Sequence, residues 1–243
     1  MKIDIVTLFP DFFSSPLDAS ILARAAKKNL LDVETHDPRQ FTTDKHRSVD
    51  GVPYGGGGGM VLKPEPVFAL WEAQQLQRAH CIYLTADGQK LDHDLSVELS
   101  LTEHLVLLCG HYKGVDERIR THLIDREVSI GDFVLTGGEP AALILIDAVV
   151  RLIPGVLGNF SSALDDSFQN DLLDCPWYTR PAEFNGDSVP TVLQSGDHEK
   201  VRSWRRQQAL RKTFERRPDL LQGADLDRED QKLVSQWERE GLE

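Results

Sequence analysis

Cysteine is scarce, with Cys81, Cys109 and Cys175 the only three in 243 residues. Their odd number and wide spacing argue against a disulfide framework and form no zinc-ligand pattern, so the sequence nominates no metal ligand. No apolar run reaches the ~18 residues of a membrane span. The opening MKIDIVTLFP lacks the layout of a secretory signal. A soluble cytoplasmic protein without a membrane partner is therefore expected. Positive charge is also short: 27 Lys and Arg face 39 Asp and Glu, a formal net charge of −12. That argues against a generic polyanion binder, whose footprint would be basic throughout. Standard phosphate-cradling loops are missing too. The glycine run from Gly55 to Gly59 is followed by Met60, where a Walker loop needs Lys and a G-x-G-x-x-G needs glycine.

Hydrophobic residues make up 40% of the chain, enough for a real core in one large or two modest domains. Lys2 to Phe9 reads as a strand that Pro10 ends. Ser15 is placed to cap a helix with Pro16 in its first turn and an apolar stripe of Leu17, Ile21, Leu22 and Ala25. A strand through Val33, a helix over Pro66 to Ala79, a strand at Cys81 to Thr85 and a helix before Leu105 continue the alternation. Leu105 to Cys109 is a short apolar run bounded by Gly110, hence a buried strand. Val115 to Ile124 is spaced as a helix with Asp116 and Glu117 in its first turn, and Pro140 opens an apolar helix that ends near Leu152. This pattern predicts an α/β fold, a mostly parallel sheet with helices on both faces. From Asn159 the apolar periodicity fails. The expected division is residues 1–158, a linker over 159–175, and a small helical domain over 176–243. The last contains a basic helix capped by Asp197 and a second helix near Arg228 to Glu240.

Charge is unevenly spread. Lys200 to Arg217 holds eight Lys and Arg against Glu215 alone, a local basic face of the kind that contact with one folded RNA requires. A solvated helix face is the competing reading. Trp204 and Phe214 could stack on bases, but their helical spacing favours core. Two glycine-bearing loops, at Gly110 to Gly114 and at Gly131 to Gly138, sit at strand-to-helix junctions, where glycine admits tight turns or the close approach of a ligand. Between Asp37 and Lys63 lies a long loop, and long ordered loops are often functional. Asp147 and Arg151 are spaced as an intrahelical ion pair. Asp165 and Asp166 read as solvated or capping charges. Cys175 has no nearby His-plus-carboxylate arrangement and reads as structural.

CGHYKGVDER, SIGDFVLTGGE and IDAVVRLIPGVLG, in that order, resemble the cofactor loops of the bacterial tRNA (guanine-N1)-methyltransferases. These are guanosine-37-specific enzymes of the knotted SPOUT superfamily, and the resemblance runs across nearly the whole chain. It implies S-adenosyl-L-methionine as cofactor and methyl transfer to N1 of guanosine 37 of tRNA, next to the anticodon. It also implies a deep trefoil knot and a homodimer with shared active sites. Carried over by position, the cofactor-binding residues are Tyr83, Leu84 and Thr85; Gly110 and Tyr112; and Ile130, Gly131, Asp132, Phe133, Val134, Leu135, Gly137 and Gly138. VPYGGGGGM resembles the RPYGGGPGM loop that closes over the target guanine. It sets His46, Arg47, Asp50, Tyr54 and Gly59 at RNA-facing positions, with Asp174 a further functional carboxylate and Arg205 and Arg206 supplied by the basic helix. The resemblance selects Asp166 as general base and Arg151 as the arginine that steadies charge on the guanine or the base. Some positions depart from the pattern. Gly58 replaces a proline. Ala86 and Asp87 stand in a stretch that usually reads Y-L-S-P-Q-G, Asp87 bringing a negative charge toward the adenosyl pocket. His111 and Lys113 replace an arginine and a glutamate, so a metal or proton role of that glutamate does not pass to Lys113, and dependence on Mg2+ stays open. Two other classes compete: a noncatalytic RNA-binding protein, and a small-molecule enzyme of doubly wound type. Titration with S-adenosylmethionine separates the first from the methyltransferase reading, and a tRNA methylation assay the second.

Overall fold

The computed structural model describes residues 1–158 and 166–241. The chain divides into two compact units, Met1–Gly158 and Asn159–Glu243. In the first unit, strands β1 (Lys2–Val6), β2 (Asp32–His36), β5 (His80–Lys90), β6 (His104–Cys109) and β7 (Arg126–Ser129) form one sheet in the order β2-β1-β6-β5-β7. Every pairing in it is parallel. Alternation along β6 shows why both faces are covered. Leu105, Leu107 and Cys109 join one apolar cluster with residues of α2 (Ser20–Lys27), α4 (His93–Ser100) and α6 (Glu139–Val150). Val106 and Leu108 join the other, with α3 (Pro64–Ala73) and α5 (Glu117–Leu123). The expected mostly parallel, two-faced α/β sheet is present.

Several boundaries differ from the sequence expectation, each for a local reason. The first strand ends at Val6 rather than Phe9, because Thr7 is diverted: its hydroxyl accepts from the Phe9 amide and donates to the buried Glu139 carboxylate at 2.8 Å. The helix expected from Ser15 is split into α1 (Ser14–Leu17) and α2, whose first residue, Ser20, takes a left-handed φ of 49°, and α1 has no side-chain cap. The helix expected over Pro66 to Ala79 stops at Ala73, where Gln75 takes φ 55° and a 3₁₀ turn, Leu76–Arg78, follows. The apolar helix α6 ends at Val150, with Arg151 as its C-cap. Strand β5 is longer than Cys81 to Thr85, but not continuous: Leu84 and Gln89 both face Val128 of β7, so residues 85–88 bulge out of the ladder. In the long loop, β3 (Asp50–Gly51) and β4 (Val61–Leu62) pair antiparallel.

The second unit holds a short hairpin, β8 (Glu183–Phe184) with β9 (Asp187–Ser188), and helices α7 (Thr191–Gln194), α8 (His198–Arg216) and α9 (Arg228–Glu240). Asp197 caps α8 by accepting from the Lys200 amide, and a capping box of Asp227 and Asp230 opens α9. Arg206 joins the two helices through Asp230, which is 3% exposed, at 2.7 and 3.0 Å. Phe214 meets Trp237 with ring centroids 5.7 Å apart, and Trp204 meets Tyr178, so the aromatics of the basic helix are packed. Of the stretch expected to be a linker, residues 159–165, including Asp165, lie outside the described residues. Residues 166–175 pack within the second unit. Leu172 and Cys175 are buried, the Leu173 amide donates to Thr213 Oγ1 at 2.8 Å, and Lys212 Nζ donates to the Asp174 carbonyl at 3.0 Å. No helix among the described residues is long and apolar enough to cross a membrane.

Candidate active site

Three segments of the first unit converge on a pocket of about 150 Å³: Tyr83 to Ala86 of β5, leading into its bulge, the turn Gly110 to Gly114 after β6, and the run Val128 to Gly138 from the end of β7 to α6. Backbone, not side chains, makes the junction between the two glycine loops. The Gly138 amide donates to the Gly110 carbonyl at 2.9 Å, and His111 bridges Gly137. A Cβ on Gly138 would sit 2.8 Å from Cys109 Cα, and one on Gly110 2.8 Å from the Tyr83 ring. Tyr112 holds a left-handed φ of 61°, an uncommon backbone for a bulky residue. Of the residues predicted to bind the cofactor, all but the exposed Asp132 line this pocket.

The pocket wall is braced from behind by residues that sequence reasoning missed. Arg120 of α5 grips Glu127 bidentately at 2.6 and 2.7 Å, reaches Asp87 at 3.0 Å, and lies over the Tyr83 ring at 5.8 Å. Asp87 also accepts from Thr85 Oγ1, and this contact, followed by the Arg120 guanidinium, holds its carboxyl below the usual carboxylate range. The negative charge introduced by Asp87 is thus engaged with Arg120, and Asp87 is not among the lining residues. Burial raises the Tyr83 phenol, with Arg120 opposing. A 33-residue separation between Asp87 and Arg120 leaves no periodic signal from which this brace could be read. The substituted His111 and Lys113 both line the pocket, and His111 Nδ1 is buried with no hydrogen-bond partner among the described residues.

The long loop is tied to the same place. The Lys113 amide donates to Met60 O at 2.9 Å, the Leu62 amide to Gly114 O at 3.0 Å, and a Cβ on Gly59 would meet Lys113 Cγ at 2.8 Å. Of the residues predicted to face RNA, His46 and Arg47 are exposed, Tyr54 is fully so, and Asp50 is half-buried on β3. Arg151 is half-buried, its amide donating to Asp147 O at 3.3 Å, and it is outside the pocket lining. In the second unit, Asp166, Asp174, Arg205 and Arg206 line a separate cavity of about 340 Å³ together with Arg202 and Trp177. Arg206 is bound to Asp230 there, while Arg205 stacks on Trp177. Trp177 carried no signal beyond being an aromatic in an irregular stretch. Burial raises the Cys175 thiol, consistent with a structural thiol.

Known proteins align with this chain along almost its full length. The family model described as tRNA (Guanine-1)-methyltransferase TrmD matches residues 1–223. A tRNA (guanine-N(1)-)-methyltransferase of Brevibacillus brevis is 52% identical over 241 residues, covering 99% of each chain. One from Geobacter sulfurreducens is 51% identical over 243 residues, again 99% of each, and one from Dictyoglomus turgidum 49% over 240, covering 99% of this chain and 98% of its own. With a β5 segment and two glycine-bearing loops meeting at one pocket and this likeness end to end, the chain belongs to the tRNA (guanine-1)-methyltransferase TrmD family.

Proposed function

We propose that the protein transfers a methyl group from S-adenosylmethionine to N1 of guanosine 37 in tRNA, acting in the cytoplasm. The observation that carries the reading is the pocket built from the β5 bulge and the two glycine loops in a chain about half identical to tRNA (guanine-N(1)-)-methyltransferases. A noncatalytic RNA binder needs no such pocket. The residues present suit a nucleoside cofactor: Gly110, Gly131, Gly137 and Gly138 leave backbone open to it, Tyr112, Ile130 and Phe133 offer apolar surface, and the buried, unpartnered His111 Nδ1 offers it a polar contact. Bound there, S-adenosylmethionine supplies an electrophilic methyl group.

The chain's own residues do the rest. Tyr83 to Thr85, Gly110, Tyr112, Ile130, Gly131, Phe133 to Leu135, Gly137 and Gly138 orient the donor so that N1 approaches in line. Guanine N1 carries a proton, and Asp166 accepts it. Charge then moves toward O6, where Arg151 meets it. The loop bearing His46, Arg47, Asp50, Tyr54 and Gly59 closes over the base, and Asp174 and Arg205 hold the RNA. The reading extends to a trefoil knot, which rests on the likeness to the family. It extends also to a homodimer, supported by the apolar surface left at Phe133, Val134, Leu135 and Ile144. The test is incubation of the protein with unmodified tRNA and donor labelled in the methyl group, followed by mapping of the modified nucleoside. Label on N1 of guanosine 37 is expected. Label elsewhere, or none, overturns the reading.

A further inference from the structure

The indole of Trp177 is 57% exposed, yet it is fixed from two sides. Its Nε1 donates to Asp174 Oδ2 at 2.5 Å, and the Arg205 guanidinium carbon lies 4.4 Å from the ring centroid. Asp174 is itself anchored, its amide donating to Ser167 Oγ at 3.0 Å and its carbonyl accepting from Lys212 Nζ at 3.0 Å. An exposed tryptophan with both its polar edge and its plane tethered has lost its rotamer freedom while still presenting apolar surface to water, and packing within the second unit does not account for that. Tyr178 and Phe184, 49% and 66% exposed, follow it closely in sequence. Trp177 and Arg205 together line two cavities, of about 340 and 540 Å³. Arg202 joins them at the smaller one, whereas Arg206 is neutralised by Asp230.

A planar π-face, set rigidly at a cavity mouth and flanked by two arginines, matches the chemistry of one ligand class, an unpaired nucleobase with its attached phosphate. We propose that Trp177, clamped by Asp174 and Arg205, is a stacking platform for an unpaired base of the RNA substrate, with Arg202 meeting the neighbouring phosphate. The proposal rests on the reading of this chain as an enzyme acting on tRNA. It assigns recognition of single-stranded RNA to a residue outside both the donor pocket and the charge cluster as such.

The experiment uses the full-length protein and unmodified tRNA, with binding measured across a salt series and tryptophan emission followed in the same titrations. Stacking on the indole quenches its emission, so wild-type emission should fall on saturation with tRNA. Trp177→Phe should keep affinity within about threefold but lose most of the quenching. Trp177→Ala should bind on the order of tenfold more weakly. Its slope of log K against log salt should be unchanged, since no phosphate contact is lost, whereas Arg202→Gln should flatten that slope by about 0.7. Affinity for S-adenosylmethionine should be the same in all variants, and a wild-type far-ultraviolet circular dichroism spectrum and thermal unfolding curve show that each is folded. Wild-type affinity in Trp177→Ala, or undiminished quenching in Trp177→Phe, overturns the platform while leaving the methyltransferase reading intact. If the wild-type protein neither binds nor methylates tRNA, the functional reading fails and the platform with it.

Discussion

Asp4 is a charged residue with no exposure at all, on the central part of a parallel sheet. Its neighbours explain how the charge is tolerated. His36 Nε2 on β2 lies 2.6 Å from one carboxylate oxygen and His104 Nε2 on β6 lies 2.5 Å from the other, while Lys2 Nζ stands 3.5 Å away and also pairs with Glu34. Burial pushes the Asp4 carboxyl up, but the hydrogen bonds from His36 and His104 and the Lys2 charge outweigh it, and the net shift is downward. A carboxyl whose folded pKa lies below its unfolded one adds stability that is complete above the unfolded value, near pH ~4, and is lost as pH falls through the folded value. Asp4→Asn should therefore cost about 1–3 kcal/mol at pH 7, by leaving buried partners poorly matched. The gap between variant and wild type should narrow as pH drops from 5 toward 3. Denaturant unfolding at several pH values measures this, and a gap that stays constant over that range would show that Asp4 does not titrate with unfolding.

At the scale of elements, the β5 bulge is the feature on which the pocket depends. Four residues leave the ladder between Leu84 and Gln89, and a Cβ at Gly88 would come 2.5 Å from the Glu127 carbonyl carbon, so only glycine lets the bulge rest on β7. The Asp87–Arg120–Glu127 contacts then fix its outer side. As a part-exposed ion pair the Asp87 link adds little to global stability. Its effect should appear in the shape of the wall instead. Arg120→Met is expected to lower S-adenosylmethionine affinity by roughly three- to tenfold, about 0.7–1.4 kcal/mol, with tRNA affinity unchanged, as read by calorimetric titration of each. Identical donor titrations would show that the bulge holds its shape without the brace. Strands and helices were legible because their signals are local: β6 shows a buried run ended by Gly110, and the helix expected near Arg228 to Glu240 spans those residues. The bulge, the break at Ser20 and the Arg120 brace were not, because each is set by contacts with chain far away in sequence. Most of the residues named by resemblance line two cavities, whereas Asp132, Arg151 and His46, Arg47, Asp50, Tyr54 and Gly59 of the long loop line neither; composition alone could not find them, since loops carry little periodicity.

Across the whole molecule the labour is divided by unit. The pocket proposed to hold the donor is lined by residues of Met1–Gly158, and the carboxylates Asp166 and Asp174 belong to Asn159–Glu243, as does the basic helix α8. In an acidic protein of net charge −12, eight Lys and Arg fall between Lys200 and Arg217, on or at the end of helix α8; under the proposed function that local charge meets the phosphates, whose attraction is short-ranged under screening. This separation makes the role assigned to Asp166 testable without disturbing the donor site. A carboxylate is a weak base for an amide-like N1 proton, so it serves only where developing charge on O6 is stabilised at the same time, the part given to Arg151. Asp166→Asn keeps the side chain's shape and removes its basicity. Donor affinity should be unchanged, because no part of the donor pocket involves this residue, and most tRNA affinity should remain. Single-turnover methyl transfer, measured with saturating donor and enzyme in excess over tRNA, should fall on the order of 100-fold or more. The loss must be in the chemical step: a defect confined to multiple turnovers would place Asp166 in product release. Wild-type single-turnover rates in Asp166→Asn would remove it as the proton acceptor and pass that role to Asp174 or Asp50.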